Sequence, residues 1–250
     1  MDTAPSAKSP DNLGLLAGIS DAARGIHDEL GGFTDDSVAA PSELPGWTRG
    51  HVLAHIAGIA DALARQAELA RRGEQADLYD GGMPARDAAI EAGAHADAAV
   101  HRARTGAAVD RALAAFEALD PSEWDTPVRF RRGVVRDAAL ALWRELVIHR
   151  SDLGTGCTQQ EWSEDFSQHL VGFLEPRVPE GLAFELRPAT GVPFRLGGGS
   201  DVVVLEGRLQ DLAAWLAGRS VGHGAVRAER DGEAVPLPPL GPWPSAMAVK

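Results

Sequence analysis

The sequence predicts a protein of mixed α + α/β class. An N-terminal four-helix bundle over about residues 10–157 leads into a smaller α+β domain over residues 158–250. Two observations carry this. Before residue 155, four long stretches repeat apolar residues every three to four positions, separated by linkers containing glycine or proline. Beyond 155 the period drops to two, in short runs between glycines, which is the pattern of half-buried strands. The chain has 250 residues and is 44% hydrophobic, enough for one large core or two modest ones.

Residues 1–10 are polar and are expected to fray. The first helix runs from Asn12 to about Leu30, because Leu15, Leu16, Ile19, Ala22, Ala23 and Ile26 share the helical period and Gly31-Gly32 ends it. DDSVAAPSELPGW then reads as a loop, with turn chemistry at Pro45-Gly46. Thr48 suits the N-cap of a second helix, to about Arg72, whose apolar face carries Val52, Ile56, Ile59 and Leu63. After the polar link GEQADLYDGGMP, Pro84 suits the start of a third long, alanine-rich helix over roughly 85–118. Pro121 opens a turn, and VRFRRGVV reads as a small hairpin or a loop. The fourth helix spans about Val135 to Leu153, where Gly154 stops it. Four amphipathic helices with one irregular link make a four-helix bundle.

In the second domain a helix over about 161–177 precedes the strand-like runs LAFELRP, VPFRL and DVVVLEG. LQDLAAWLAG reads as a short helix and AVRAER as a last strand. The proline-rich VPLPPLGPWP can only be loop or edge.

Formal net charge is −12, which argues against nucleic acid and anionic membranes as partners. No apolar run is long enough to span a bilayer, and MDTAPSAKSPDN lacks the apolar core of a signal peptide, so a cytoplasmic location is expected. Abundant alanine, glycine and arginine with scarce lysine is the bias of a high-GC genome. The single cysteine, Cys157, excludes an internal disulfide. It lies just past the fourth helix with no evident activating partner, so thiol chemistry would need a sulfur brought from outside.

Glu145 and His149 stand four apart in WRELVIHRSDLG and therefore share one helix face. They are either a surface ion pair or two ligands of a metal. Of the eight histidines, His27, His95, His101 and His169 fall on or near polar faces, and His223 sits between loop glycines. His51 and His55 share a face in the first turns of the second helix, and His55 lies in the apolar LAHIAG. A histidine there is ordinarily a satisfied core residue. One histidine from helix two and a Glu-His pair from helix four can nevertheless converge inside a bundle. Two histidines and a carboxylate are a common catalytic zinc set with an open fourth position, and they also suit iron or nickel. Helical period leaves His51 and His55 both open as the third ligand. Asp152, three residues after His149, either orients that ring or pairs on the helix surface. Tyr79, the single tyrosine, lies in the irregular link and is a candidate to face the cleft. Trp47 and Trp143 read as core packing.

The stretch LPGWTRGHVLAHIAGIADAL resembles the N-terminal signature of the mycothiol-dependent maleylpyruvate isomerase family, which belongs to the DinB-like metal-binding four-helix bundles. MPARDAAIEAGA looks like that family's arginine-bearing segment, and WRELVIHRSDLG like its second metal motif. DVVVLEGRLQDLAAWLAGRS looks like its α+β domain, which is similar to sterol-carrier-protein folds. The resemblance covers nearly the whole chain. It implies His55, Glu145 and His149 as metal ligands, because the family's ligand stands eight residues after the tryptophan of GWT and Trp47 plus eight is His55. His51 stands where family members vary and is left as a pocket-lining or supporting residue. Arg86 matches the active-site arginine, and Arg219 matches an arginine associated with thiol-cofactor binding.

The resemblance also implies zinc, mycothiol and a reaction, the conversion of maleylpyruvate to fumarylpyruvate. A double bond does not rotate; adding a thiolate makes it single, and expelling the thiolate gives the trans product. Zinc would keep the external thiol ionised at neutral pH. The substrate is a small dianion, so a local positive patch is expected in this negative protein, with Arg86 meeting a carboxylate. Two other functions share these motifs: a mycothiol S-transferase of detoxification or secondary metabolism, and a non-enzymatic metal-binding regulatory bundle.

Overall fold

The computed structural model describes residues 10–244. The expected fraying over residues 1–10 therefore falls almost wholly outside the described residues. The chain divides into two compact units at residues 158/159.

The first unit is helical. α1 (Asn12–Gly31) is capped by the Asp11 carboxylate, which accepts the Gly14 N–H at 2.8 Å. α3 (Arg49–Arg71) starts on Thr48, whose hydroxyl accepts the His51 N–H, while the Thr48 N–H donates to Nδ1 of His51. His51 thus supplies the return half of a capping box, a place usually taken by Glu or Gln. α6 (Val135–Asp152) is capped by Asp137, which accepts the Val134 N–H at 2.9 Å. α5 (Ala98–Glu117) completes the set, and α1, α6, α3 and α5 pack in a closed ring, each against the next. Close approach is built in with glycine: a Cβ on Gly18 would lie 2.7 Å from the Trp143 indole.

Two expectations in this unit are corrected. The segment read as a loop before Pro45 contains a short helix, α2 (Asp35–Ala39), with its own Thr34–Ser37 capping box. The long third helix is two helices, α4 (Gly82–Ala94) and α5, broken at residues 95–97. The break is held by partners distant in sequence. The Asp35 carboxylate accepts the Ala98 N–H at 2.8 Å and so caps α5 from another helix. The Ala94 carbonyl sits where a Cβ on Gly50 would meet it at 2.1 Å, so α4 ends pressed against the first turn of α3. His101, expected near a polar face, is buried and hydrogen-bonded to the Ala94 backbone at this break.

The second unit joins α7 (Glu164–Phe173) and α8 (Leu209–Leu216) to one sheet. Its strands are β1 (Leu182–Pro188), β2 (Phe194–Leu196), β3 (Asp201–Gly207), β4 (Val226–Arg230) and β5 (Glu233–Val235), in the order β2-β1-β3-β4-β5. β1 and β3 are parallel, with Phe184 opposite Val203; the other pairs are antiparallel. Phe166, Leu170, Phe184, Val203, Leu205 and Leu212 fill the core. The helix expected to reach 177 stops at Phe173, and a 3-10 turn with Pro176 follows, since proline lacks the donor to continue an α-helix. His169, expected on a polar face, is buried and stacks on Phe173. β5 was not expected; it is a three-residue edge just before the prolines. Among the described residues no helix is long and apolar enough to cross a membrane.

Candidate metal centre

Inside the ring of helices, α3 and α6 face each other. α3 brings His55 one turn after the capping residue His51, and α6 brings Glu145 and His149 on one face. Nε2 of His55 lies 3.0 Å from Oε2 of Glu145 and 3.0 Å from Nε2 of His149; Nε2 of His149 lies 3.1 Å from the same Glu145 oxygen. Three donor atoms therefore form a nearly equilateral triangle, and both rings point their outer nitrogens into it.

The partner on the far side of each ring matters as much. Nδ1 of His149 lies 2.8 Å from Oδ2 of Asp152, which is buried. That carboxylate accepts the Nδ1–H hydrogen bond and so fixes a proton on Nδ1, which leaves Nε2, on the side of the triangle, as the nitrogen that gives up its proton when the ring is neutral. Nδ1 of His55 instead faces Nη2 of Arg86 at 3.2 Å, from the first turns of α4. Trp47, expected in the core, is only half-buried; it packs edge-on against His55 and stacks on His51, so it walls the site, while Trp143 is buried as expected.

Charge in the cluster is unevenly held. Burial pushes His55 below its ordinary value, although Glu145 pulls the other way. Burial opposes the Glu145 carboxylate, yet hydrogen bonds from His149 and His55 outweigh this and hold it well below the usual range. Burial also opposes a charge on His149, but Asp152 and Glu145 raise it to about 9. With protons alone to balance Glu145 and Asp152, His149 carries one positive charge at neutral pH.

The residues singled out from the sequence separate clearly. His55, Glu145, His149, Asp152 and Arg86 come together. Tyr79 joins them: its phenol oxygen accepts from Arg86, and the group is pushed up to about 12, mainly by burial, so it stays protonated. His51 does not join; its Nδ1 meets the Thr48 hydroxyl at 2.7 Å and its Nε2 faces Glu91 at 3.3 Å. Helical period could not separate it from His55, and the capping role does. Arg219 lies in the second unit, on the turn after α8, with Nη1 donating to the Ala217 carbonyl at 3.0 Å. Cys157 is buried, its sulfur 3.9 Å from the Ser151 hydroxyl.

Two arginines escaped the sequence reading. Arg144, immediately before Glu145, is buried, and burial together with Arg131 draws it down to about 9. Arg131 is half-buried and lies within electrostatic reach of both Glu145 and Arg144. A buried arginine flanking a ligand motif, and paired arginines in a turn, were the available signals.

Two histidines and a glutamate converging from facing helices define a helical bundle with a donor cluster of the kind that holds a divalent metal. A family model described as the mycothiol maleylpyruvate isomerase N-terminal domain matches residues 19–154, and the chain belongs to that family. A crystal structure of a mycothiol-dependent maleylpyruvate isomerase superposes with a TM-score of 0.80 at 25% identity, covering 94% of this chain and 99% of that one. A histidine-to-alanine mutant of a mycothiol-dependent maleylpyruvate isomerase matches at 0.81, with the same identity and coverage. No curated protein sequence matches the chain.

Proposed function

We propose that the protein is a zinc- and mycothiol-dependent isomerase that converts maleylpyruvate to fumarylpyruvate. The observation that carries this is the triangle of His55, Glu145 and His149 beside Arg86, in a chain whose length is matched by mycothiol-dependent maleylpyruvate isomerases. The donors fit the metal. A tetrahedral zinc with bonds of about 2.0–2.1 Å sets its ligand atoms about 3.3 Å apart, close to the edges of this triangle. Two imidazoles and one carboxylate leave a fourth position for an exogenous ligand. Zinc held by His55, Glu145 and His149 would keep bound mycothiol ionised at neutral pH and so supply the nucleophile that a cis-to-trans change across a double bond requires.

The chain's own residues hold and orient. Asp152 keeps a proton on Nδ1 of His149, so the nitrogen freed when the ring loses its other proton is Nε2, which faces the triangle. Arg86 offers a planar fork to a substrate carboxylate, and Tyr79 braces that fork while remaining protonated. Cys157 is buried, which agrees with a sulfur that arrives from outside. Residues 10–157 form the metal-binding part in this reading, and residues 158–250 carry Arg219 as the cofactor-binding arginine. Dependence on a reduced thiol fits a cytoplasmic location.

Metal analysis of the purified protein should give about one zinc per chain, lost in His149→Ala. Maleylpyruvate should isomerise only when mycothiol is added. Formation of a stable thiol conjugate instead would make the protein a transferase, turnover without added thiol would return the chemistry to Cys157, and a wild type without metal would sink the reading.

A further inference from the structure

The C-terminal end of α6 is held by the segment that leads into α3. The carbonyls of Asp152, Leu153 and Gly154 stand in succession there, and each accepts from a donor in residues 43–49. The Glu43 N–H donates to the Asp152 carbonyl at 2.9 Å. The half-buried Arg49 takes the other two: Nε donates to the Leu153 carbonyl at 2.8 Å and Nη2 to the Gly154 carbonyl at 2.8 Å. Its Nη1 donates to the Ser37 carbonyl of α2 at 3.4 Å. Gly154 lets the chain close here, since a Cβ on it would lie 2.9 Å from the Glu43 carboxylate.

Arg49 is the first residue of α3. A cation there opposes the dipole of its own helix, which is positive at that end, but it is favourable at the negative end of α6. The segment that carries it is rigid. Pro41 and Thr48 pair across a β-bridge, the Ser42 N–H donates to the Trp47 carbonyl at 2.9 Å, and the Arg49 N–H donates to the Ala40 carbonyl at 3.0 Å. Both helices joined in this way carry candidate ligands close to the joint. His55 lies less than two turns beyond Arg49, and His149 lies about one turn before Leu153. Across the two helices, Nε2 of His55 stands 3.0 Å from Glu145 and 3.0 Å from His149. A ligand set of this kind has to be held to within about 0.5 Å, so a small slide of α6 along α3 would spoil it.

We propose that Arg49 is a positioning residue of the candidate metal centre: by clamping the last carbonyls of α6 to the start of α3, it sets the distance from His55 to the Glu145–His149 pair. The proposal rests on the metal-binding reading of that cluster. Arg49 touches neither metal nor substrate and acts through the two helices that bring the ligands.

The test compares three variants of the full chain. Arg49→Met removes the donors and keeps the apolar stem, and Arg49→Lys keeps the charge without the fork. Asp35→Ala weakens the fold at the start of α5 instead. Zinc affinity is read by chelator competition, and the visible spectrum of the cobalt-loaded chain reports coordination geometry. In Arg49→Met zinc affinity should fall by roughly tenfold to a hundredfold and the cobalt spectrum should shift, while Arg49→Lys recovers part of both. Asp35→Ala should leave both readings as in the wild type. A folded Arg49→Met with wild-type zinc affinity and cobalt spectrum would overturn the clamp and leave the metal centre standing. If Arg49→Met does not fold, Arg49→Lys decides by the same two readings. An equal fall in Asp35→Ala would make the effect general destabilisation and would also overturn the clamp. A wild type that binds no metal would overturn the centre and the clamp together.

Discussion

Nη2 of Arg86 lies 3.2 Å from Nδ1 of His55. A guanidinium only donates, so this contact makes Nδ1 an acceptor and puts the ring proton on Nε2, the atom that faces Glu145 and His149. A metal at Nε2 demands the opposite tautomer, and two N–H groups would then face each other. Zinc loading is therefore expected to break the Arg86–His55 contact and free the guanidinium for substrate. Ring-nitrogen chemical shifts should report a proton on Nδ1 of His55 in the loaded protein only. Arg86→Ala should bind zinc several-fold to about tenfold more tightly while turnover falls by roughly a hundredfold or more. Weaker zinc binding in that variant would mean that Arg86 supports the metal rather than competing with it.

Asp152 orients one ligand without belonging to the triangle. Asp152→Asn keeps the volume but loses the charge that fixes the His149 proton on Nδ1. Zinc affinity should fall by about tenfold to a hundredfold with little change in secondary structure. A competition titration against a chromophoric chelator would read this directly, and unchanged affinity would reduce Asp152 to a packing role.

The pH dependence of metal binding follows from His149, whose value stands at about 9 in the metal-free cluster. Its proton must leave before Nε2 can ligate, so zinc binding should release about one proton across the neutral range. Affinity should climb about tenfold per pH unit up to about pH 9 and then level off. Calorimetry in buffers of different ionisation enthalpy measures that proton. Stability of the chelated protein carries the same sign. A raised histidine stabilises fully below its unfolded value of 6.5, and this contribution is lost as pH rises toward about 9. Glu145, held low, works on the acid side: its contribution is present above 4.5 and lost as pH falls. A melting temperature of the chelated protein that stayed flat between pH 6.5 and 9 would contradict the assignment.

The break between α4 and α5 should be separable from the chemistry. Asp35→Ala removes the cap on the Ala98 N–H and should cost about 1 kcal/mol, with zinc binding unchanged. Gly50→Ala drives a Cβ into the Ala94 carbonyl and should cost about 2–3 kcal/mol or more. Because Gly50 also lies five residues before His55 on α3, that variant is expected to weaken zinc binding as well. Denaturant melts and a zinc titration on both variants would show whether the effects divide this way.

Much of the bundle was legible because its cues are local. Asp11 and Thr48 announce their helices through caps, Gly154 closes α6 with a φ of 64°, and the apolar period of α1, α3 and α6 survives intact. Of the three candidate ligands, Glu145 and His149 share a face by helical geometry alone, whereas helical period left His51 and His55 both open and the family resemblance, through its GWT spacing, is what implied His55. Arg131 and Arg144 were not legible. Nothing in VRFRRGVV states that its turn is pinned by Gln66 and Gln75, or that its arginines take left-handed backbone.

The sequence by itself determined the class of fold, the starts of α1, α3 and α6 and the types of donor, because caps, periodicity and i, i+4 spacing act within a few residues of chain. Only the tertiary structure decided that α5 begins at Ala98, since the carboxylate that caps it comes from Asp35. Only the tertiary structure turned His51 to Thr48 and Glu91 and put His55 within 3.0 Å of both Glu145 and His149. Apart from the local Thr48 contact, those relationships join residues 40 to 94 positions apart, bridged by the packing of whole helices. No local preference encodes a distance of that kind.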